Sequence, residues 1–160
     1  MNAFLLGLSE DDHRLVRMQP WPKRWADFHA KHQLVWTHFQ FAAGSANAIP
    51  TVPGLYCFFV GQPPASLPPV GYPMYVGKTE RTLRIRFGEY LREQNDPGGR
   101  VRVRKFLNVF EGELYFSCAP FNGTAAQVKE VETDLHNALM PAYSDIGYSA
   151  EVRQKRQAWQ

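Results

Sequence analysis

Six side chains stand out for the chemistry they could do together: Tyr56, Tyr75, Lys78, Arg86, Tyr90 and Glu132. Two of the phenols sit in short apolar runs, "GLYCFFV" at 54–60 and "MYVG" at 74–77. A phenol there gives an otherwise apolar wall one donor and one acceptor. Arg86 and Tyr90 are four residues apart, so on a helix they stack. An arginine beside a core stripe keeps its stem packed and its head along the surface, where it meets anions. Glu132 falls at the edge of a later helix's core stripe, and a carboxylate at a core edge needs a partner or a metal. Taken singly, each has a plain structural reading. Strand tyrosines are mostly core, and helix arginines and glutamates are mostly surface charges.

The elements that must position these residues follow from pattern. "GLYCFFV" is β-branched and aromatic, hence a strand, and "MYVG" is a short second one. Between them, residues 61–73 hold five prolines and read as a loop. Residues 80–93 read as a helix capped by Thr79, with Leu83, Phe87 and Leu91 on one stripe. Residues 101–110 lean towards a short helix, and "ELYFSCA" at 113–119 is a third strand. A second clear helix covers 125–140 and stops at Pro141. Its stripe is Val128, Val131, Leu135 and Leu139. Glu132 flanks that stripe, and Glu130 lies on the far side.

Residues 1–49 read as a helical extension. "SEDD" at 9–12 suggests a capped helix through Met18, and Trp25, Phe28 and His32 share a face after Pro22. "LVWTHFQF" at 34–41 fits a strand or a helix. Among the histidines, His29, His32 and His38 lack a further ligand at zinc spacing, and His136 reads as a surface residue. Residues 50–148 form the main domain and 149–160 a polar tail.

With 160 residues the chain can hold one domain with a real core. No apolar run is long enough for a membrane helix, and the N-terminus lacks the basic start of a signal peptide. Cys57 and Cys118 lie in apolar runs, as reduced thiols of a cytoplasmic protein do. The net charge is only +3, but residues 78–105 hold nine Lys or Arg against four Asp or Glu. A local basic field suits a polyanion such as nucleic acid, and a solvated basic face is its bland counterpart.

Together these residues resemble the GIY-YIG nuclease family, which is named for two strand motifs. The first appears as Gly54-Leu55-Tyr56 and the second as Tyr75-Val76-Gly77, running on into Lys78 and Thr79. Arg86 with Tyr90 matches the family's helix Arg, and Glu132 with Leu135 and Pro141 matches its later helix. The likeness spans Pro50 to Asp145. The stretch between Tyr56 and Tyr75 is longer than usual, and Ser144 stands where the family often has Asn. Arg86 comes one residue late after the second Tyr, which leaves Arg84 as a fallback.

The resemblance implies an α+β fold (α/β in the broad sense), with a three-stranded, mainly antiparallel sheet flanked by helices. It implies a metal-dependent endonuclease that hydrolyses phosphodiester bonds in DNA. Glu132 would hold Mg²⁺ or Mn²⁺, and Arg86 would bind the scissile phosphate. Tyr56 would position or deprotonate the water, helped by Lys78, while Tyr75 and Tyr90 orient the reacting groups. Arg81, Arg84, Arg100, Arg102, Arg104 and Lys105 would contact the DNA backbone. Two other readings remain open. One is a catalytically silent nucleic-acid-binding module. The other is an interaction domain whose Trp21, Trp25 and Trp36 dock a partner or a second copy.

Overall fold

The computed structural model describes residues 14–62 and 70–144, with the side chains of Gln62 and Val70 left aside. In chain order the elements are α1 (Pro22–His32), β1 (Thr37–Gln40), a 3₁₀ turn (Ala43–Ala48), β2 (Gly54–Gln62) and β3 (Val70–Thr79). Then come α2 (Leu83–Glu93), α3 (Val101–Val109), β4 (Leu114–Pro120) and α4 (Ala125–Leu139). The strands form one four-stranded sheet, ordered β1-β4-β2-β3, with every neighbouring pair antiparallel.

The sheet therefore has four strands where the sequence suggested three. The added strand is β1, from the ambiguous "LVWTHFQF" segment, and it pairs with β4 from Thr37↔Cys118 to Gln40↔Tyr115. Phe41 and Ile49 just after it are buried in the main core. The first 49 residues thus give the sheet a strand and the core two side chains. Residues 15–20 are not helical, so a helix does not continue through Met18. The rest of that segment, residues 63–69 and the tail 149–160 lie outside the described residues.

The alternation along β2 splits the core into two layers. Tyr56 and Phe58 join an aromatic cluster with Phe87, Tyr90, Phe106 and Phe116. Leu55 and Cys57 point the other way, to Val76 and to Val131 and Leu135 of α4. Both faces of the sheet are covered, which is why this strand reads as a continuous apolar run. Cys57 and Cys118 are free and buried. Burial pushes the Cys57 thiol up to about 12.

The strands reach into the Pro-rich stretch expected to be loop, since β2 runs to Gln62 and β3 starts at Val70. Proline is tolerated there because β3 is an edge strand. At the other end β3 continues through Thr79, which pairs with Gly54. So α2 starts three residues later than expected, at Leu83, and Thr82 caps it by accepting from the Ile85 N–H. In α4, Thr124 and Gln127 form a reciprocal capping box. Met140 ends α4 in the left-handed region (φ 44°), and Pro141 follows.

Candidate functional site

β2 and α2 bring three of the singled-out residues into direct contact. The Arg86 Nε donates to the Tyr56 hydroxyl at 3.0 Å, and Nη2 donates to the Tyr90 hydroxyl at 3.1 Å. The two hydroxyls lie 2.9 Å apart. The Arg86 guanidinium also stacks over the Tyr90 ring, 4.6 Å from its centroid, as the four-residue spacing required. Its Nη1 donates to Glu89 at 2.8 Å, and Arg81 holds the other oxygen of the same carboxylate.

Glycine makes this arrangement possible. Tyr56 lies opposite Gly77 across the β2–β3 pair, and a Cβ on Gly77 would strike the Tyr56 ring and hydroxyl. The ring crosses the neighbouring strand at a residue without a side chain. Gly54 has a similar cause, since a Cβ there would meet the Ala119 carbonyl. Below, Tyr56 stacks on Phe116 with centroids 5.3 Å apart, and Tyr90 meets Phe58 edge-on at 4.9 Å.

Electrostatics follow from this packing. Tyr56 is 1% exposed, and burial pushes its phenol up to about 12 even though Arg86 pulls the other way. Burial also raises Tyr90 well above the usual phenol. Both are therefore neutral at pH 7. Burial opposes the charge of Arg86, but the phenolic oxygens and Glu89 outweigh it and hold the guanidinium charged. The bond to Arg86 keeps the Glu89 carboxyl below its usual range.

The second half of the site opens at the free edge of β3. A cavity of about 520 Å³ is lined by Tyr75, Val76, Arg100, Glu132, His136 and Tyr143, among others. Because β3 is the outer strand, side chains from both sheet faces meet at its rim. Tyr75 joins the halves, with its ring 6.1 Å from that of Tyr90 and its hydroxyl accepting from Arg100 at 3.4 Å. Backbone of the segment after α4 lines the same edge, Tyr143 N–H donating to the Met74 carbonyl. Ser144 accepts from the Val76 N–H at 3.2 Å. Ser144 thus supports the backbone of the "YVG" stretch.

Glu132 is half-buried in this cavity and makes no hydrogen bond or ion pair with another described residue. Burial raises its carboxyl above the usual range, and Lys78 and Lys129 offset only part of that. Lys78 itself points to the α4 side of the sheet and pairs with Glu80 at 3.0 Å. The cation beside Tyr56 is Arg86, so Lys78 is not placed to assist that phenol. Among the described residues no group of three or more His, Cys, Asp or Glu forms a metal cage. The carboxylate on its own suits a hard cation that takes its remaining ligands from water and phosphate oxygens.

Arg84 is tied to the Ile49 and Asn47 carbonyls at 2.9 and 2.6 Å, away from the tyrosines, so Arg86 is the arginine of the cluster. Arg102 lines the cavity, Arg104 donates to the Pro97 carbonyl at 3.0 Å, and Lys105 is half-buried on α3. His136 is a correction, since it is 4% exposed rather than on the surface. Burial pushes its imidazole down to about 4. His32 bonds Asp134 at 2.8 Å and ties α1 to α4. Trp25, Trp36, His29 and His38 line a separate apolar cavity of about 290 Å³, and Trp21 packs on Met140. Sequence reasoning missed Glu89 and Glu93, although Glu89 follows Arg86 at ion-pair spacing.

The fold and site define a mixed α+β protein with an Arg–Tyr–Tyr cluster beside a carboxylate-bearing cavity. No family model, no curated protein and no solved structure matches the chain. Among the described residues no helix is long and apolar enough to cross a membrane.

Proposed function

We propose that this chain is a metal-dependent nuclease that hydrolyses phosphodiester bonds in DNA. One observation carries the reading. Two buried phenols aim an arginine, and Tyr75, whose ring lies 6.1 Å from one of them, lines the cavity that holds the half-buried Glu132 carboxylate.

Arg86 has five N–H donors, and Tyr56, Tyr90 and Glu89 use three of them. The other two serve a phosphate oxygen and stabilise its added charge in the transition state. The two phenols hold two protons, and one lies between them. Both hydroxyls belong to side chains closed to solvent, at 1% and 0% exposure, and both accept from Arg86. Because burial keeps both phenols protonated, they aim the guanidinium and do not remove a proton. Glu132 would hold a Mg²⁺ or Mn²⁺, which when bound supplies charge neutralisation at the phosphate and a more acidic water.

Nicking of supercoiled plasmid with added Mg²⁺ or Mn²⁺ tests this. Arg86→Ala and Glu132→Gln should each lower the rate about 10²- to 10³-fold. The reading is overturned if the wild type cleaves no DNA, or if Glu132→Gln cleaves as fast as wild type. The silent binding module has one observation in its favour, the pairing of Arg86 with Glu89 that already meets part of its charge. It predicts salt-dependent DNA binding without cleavage.

A further inference from the structure

We propose that Arg100 is a second phosphate-binding residue, taking the phosphate next to the scissile one on the same DNA strand. This rests on the phosphodiester reading above and names how the substrate strand runs through the site.

The site holds two arginines in matching settings. Arg86 is held by Glu89 and stacks over Tyr90. Arg100 is held by Glu93 through Nε and Nη2, both at 2.8 Å, and its guanidinium lies 5.7 Å from the same Tyr90 ring. Each also donates to a singled-out tyrosine hydroxyl, Arg86 to Tyr56 and Arg100 to Tyr75. Glu89 and Glu93 are four residues apart on α2, a rise of about 6 Å. The two guanidiniums themselves lie 4.6 and 5.7 Å from one ring centroid, close enough to meet successive phosphates of one strand.

Exposure shows which member of the second pair faces outward. The Glu93 side chain is 15% exposed and that of Arg100 is 48% exposed. The acid is tucked beneath as a support, and the cation is presented. A pair serving only to pin α3 to α2 gives no reason for the guanidinium to reach Tyr75 and line the Glu132 cavity as well. Of its five donors, Glu93 takes two and Tyr75 one. Two remain for a phosphate oxygen.

Two measurements on the full chain test the proposal. In the first, fluorescence anisotropy follows binding to a DNA oligonucleotide in EDTA across a salt series. Arg100→Ala should weaken binding about tenfold at low salt and reduce the salt slope by about 0.7 to 0.9. Arg100→Lys, which keeps the charge, should retain the slope. An unchanged slope in Arg100→Ala overturns the proposal. In the second, the cut is mapped and the linkage beside it is replaced by an uncharged methylphosphonate, which needs no protein variant. Wild-type kcat/KM should fall about tenfold, and equal cleavage of both substrates at every flanking position overturns the proposal. A wild type that binds DNA without cutting it sinks the nuclease reading, while the salt series still decides the role of Arg100.

Discussion

Glu89 and Glu132 border one site, and their surroundings are opposite. Glu89 is gripped by Arg81 and Arg86, and those bonds hold its carboxyl below the usual range. Glu132 is half-buried with no hydrogen bond or ion pair among the described residues, and burial holds its carboxyl above the usual range although Lys78 and Lys129 offset part of the shift. The first belongs to a half that folding completes, where arginine, phenols and carboxylate satisfy one another. The second belongs to a half where burial opposes the carboxylate charge and nearby lysines offset only part of it. Aiming of the arginine is thus complete within the fold, whereas the open half keeps a carboxylate whose burial is only partly offset.

The closed half is most sensitive at Gly77. Gly77→Ala puts a Cβ into the Tyr56 ring and hydroxyl. The ring has no room to move, because it is stacked on Phe116. Overpacking of this kind should cost about 2–3 kcal/mol in chemical denaturation and misplace the Tyr56 hydroxyl that aims Arg86. Gly88 in α2 is the control. A Cβ there meets nothing within 4 Å, so Gly88→Ala should raise stability by about 0.5–1 kcal/mol. If Gly77→Ala is no worse than Gly88→Ala, the closed half is not preorganised by that packing.

The same contrast marks what the sequence made legible. α2, α4 and β2 were readable because their signals are local: periodicity, caps and an aromatic run. Arg86 and Tyr90 were readable as a pair for the same reason, since helix spacing alone brings them together. β1 was not, because "LVWTHFQF" fits either period and only its pairing with β4, far along the chain, decides. The start of β3 was hidden by prolines that an edge strand tolerates. Thr79 reads as the cap, and Thr82 takes that place because β3 pairs with β2 as far as Thr79. The need for glycine at position 77 and the burial of His136 depend on rings brought from elsewhere. The closed half was thus largely legible, and the open half depended on the sheet edge that the sequence left undefined.

On the open side the charge itself is the target, and Glu132→Gln removes it. Its folded-state pKa is raised, so between the ordinary carboxyl range and that raised value the folded chain binds more protons than the unfolded one. Stability therefore falls as pH rises through that window, and the penalty is fully present above it. Glu132→Gln removes the penalty. In metal-free buffer near pH 7 it should be more stable than wild type by about 1 kcal/mol, allowing for its partial exposure. The two should converge below about pH 4, where the carboxyl is protonated in both states. A glutamine variant less stable than wild type at neutral pH would show that Glu132 has a partner that repays it.

Glu89→Gln gives the smallest effect and the opposite sign. The folded-state pKa of Glu89 is depressed, so its stabilisation is present above the ordinary carboxyl range and lost as pH falls through the lowered value. Glu89→Gln should cost about 0.5 kcal/mol near pH 7, since the pair is partly exposed, with 22% of the Glu89 side chain and 24% of the Arg86 side chain in solvent. Wild type should fall towards the variant on acidification, whereas at Glu132 it climbs towards the variant. Combining the two substitutions then tests whether the halves are separate. Among the described residues they share no hydrogen-bond or ion-pair partner, so the effects should add to within about 0.5 kcal/mol. A larger coupling would mean that Tyr75, placed between the halves, transmits strain from one to the other, and the arginine would then be aimed only when the open half is filled.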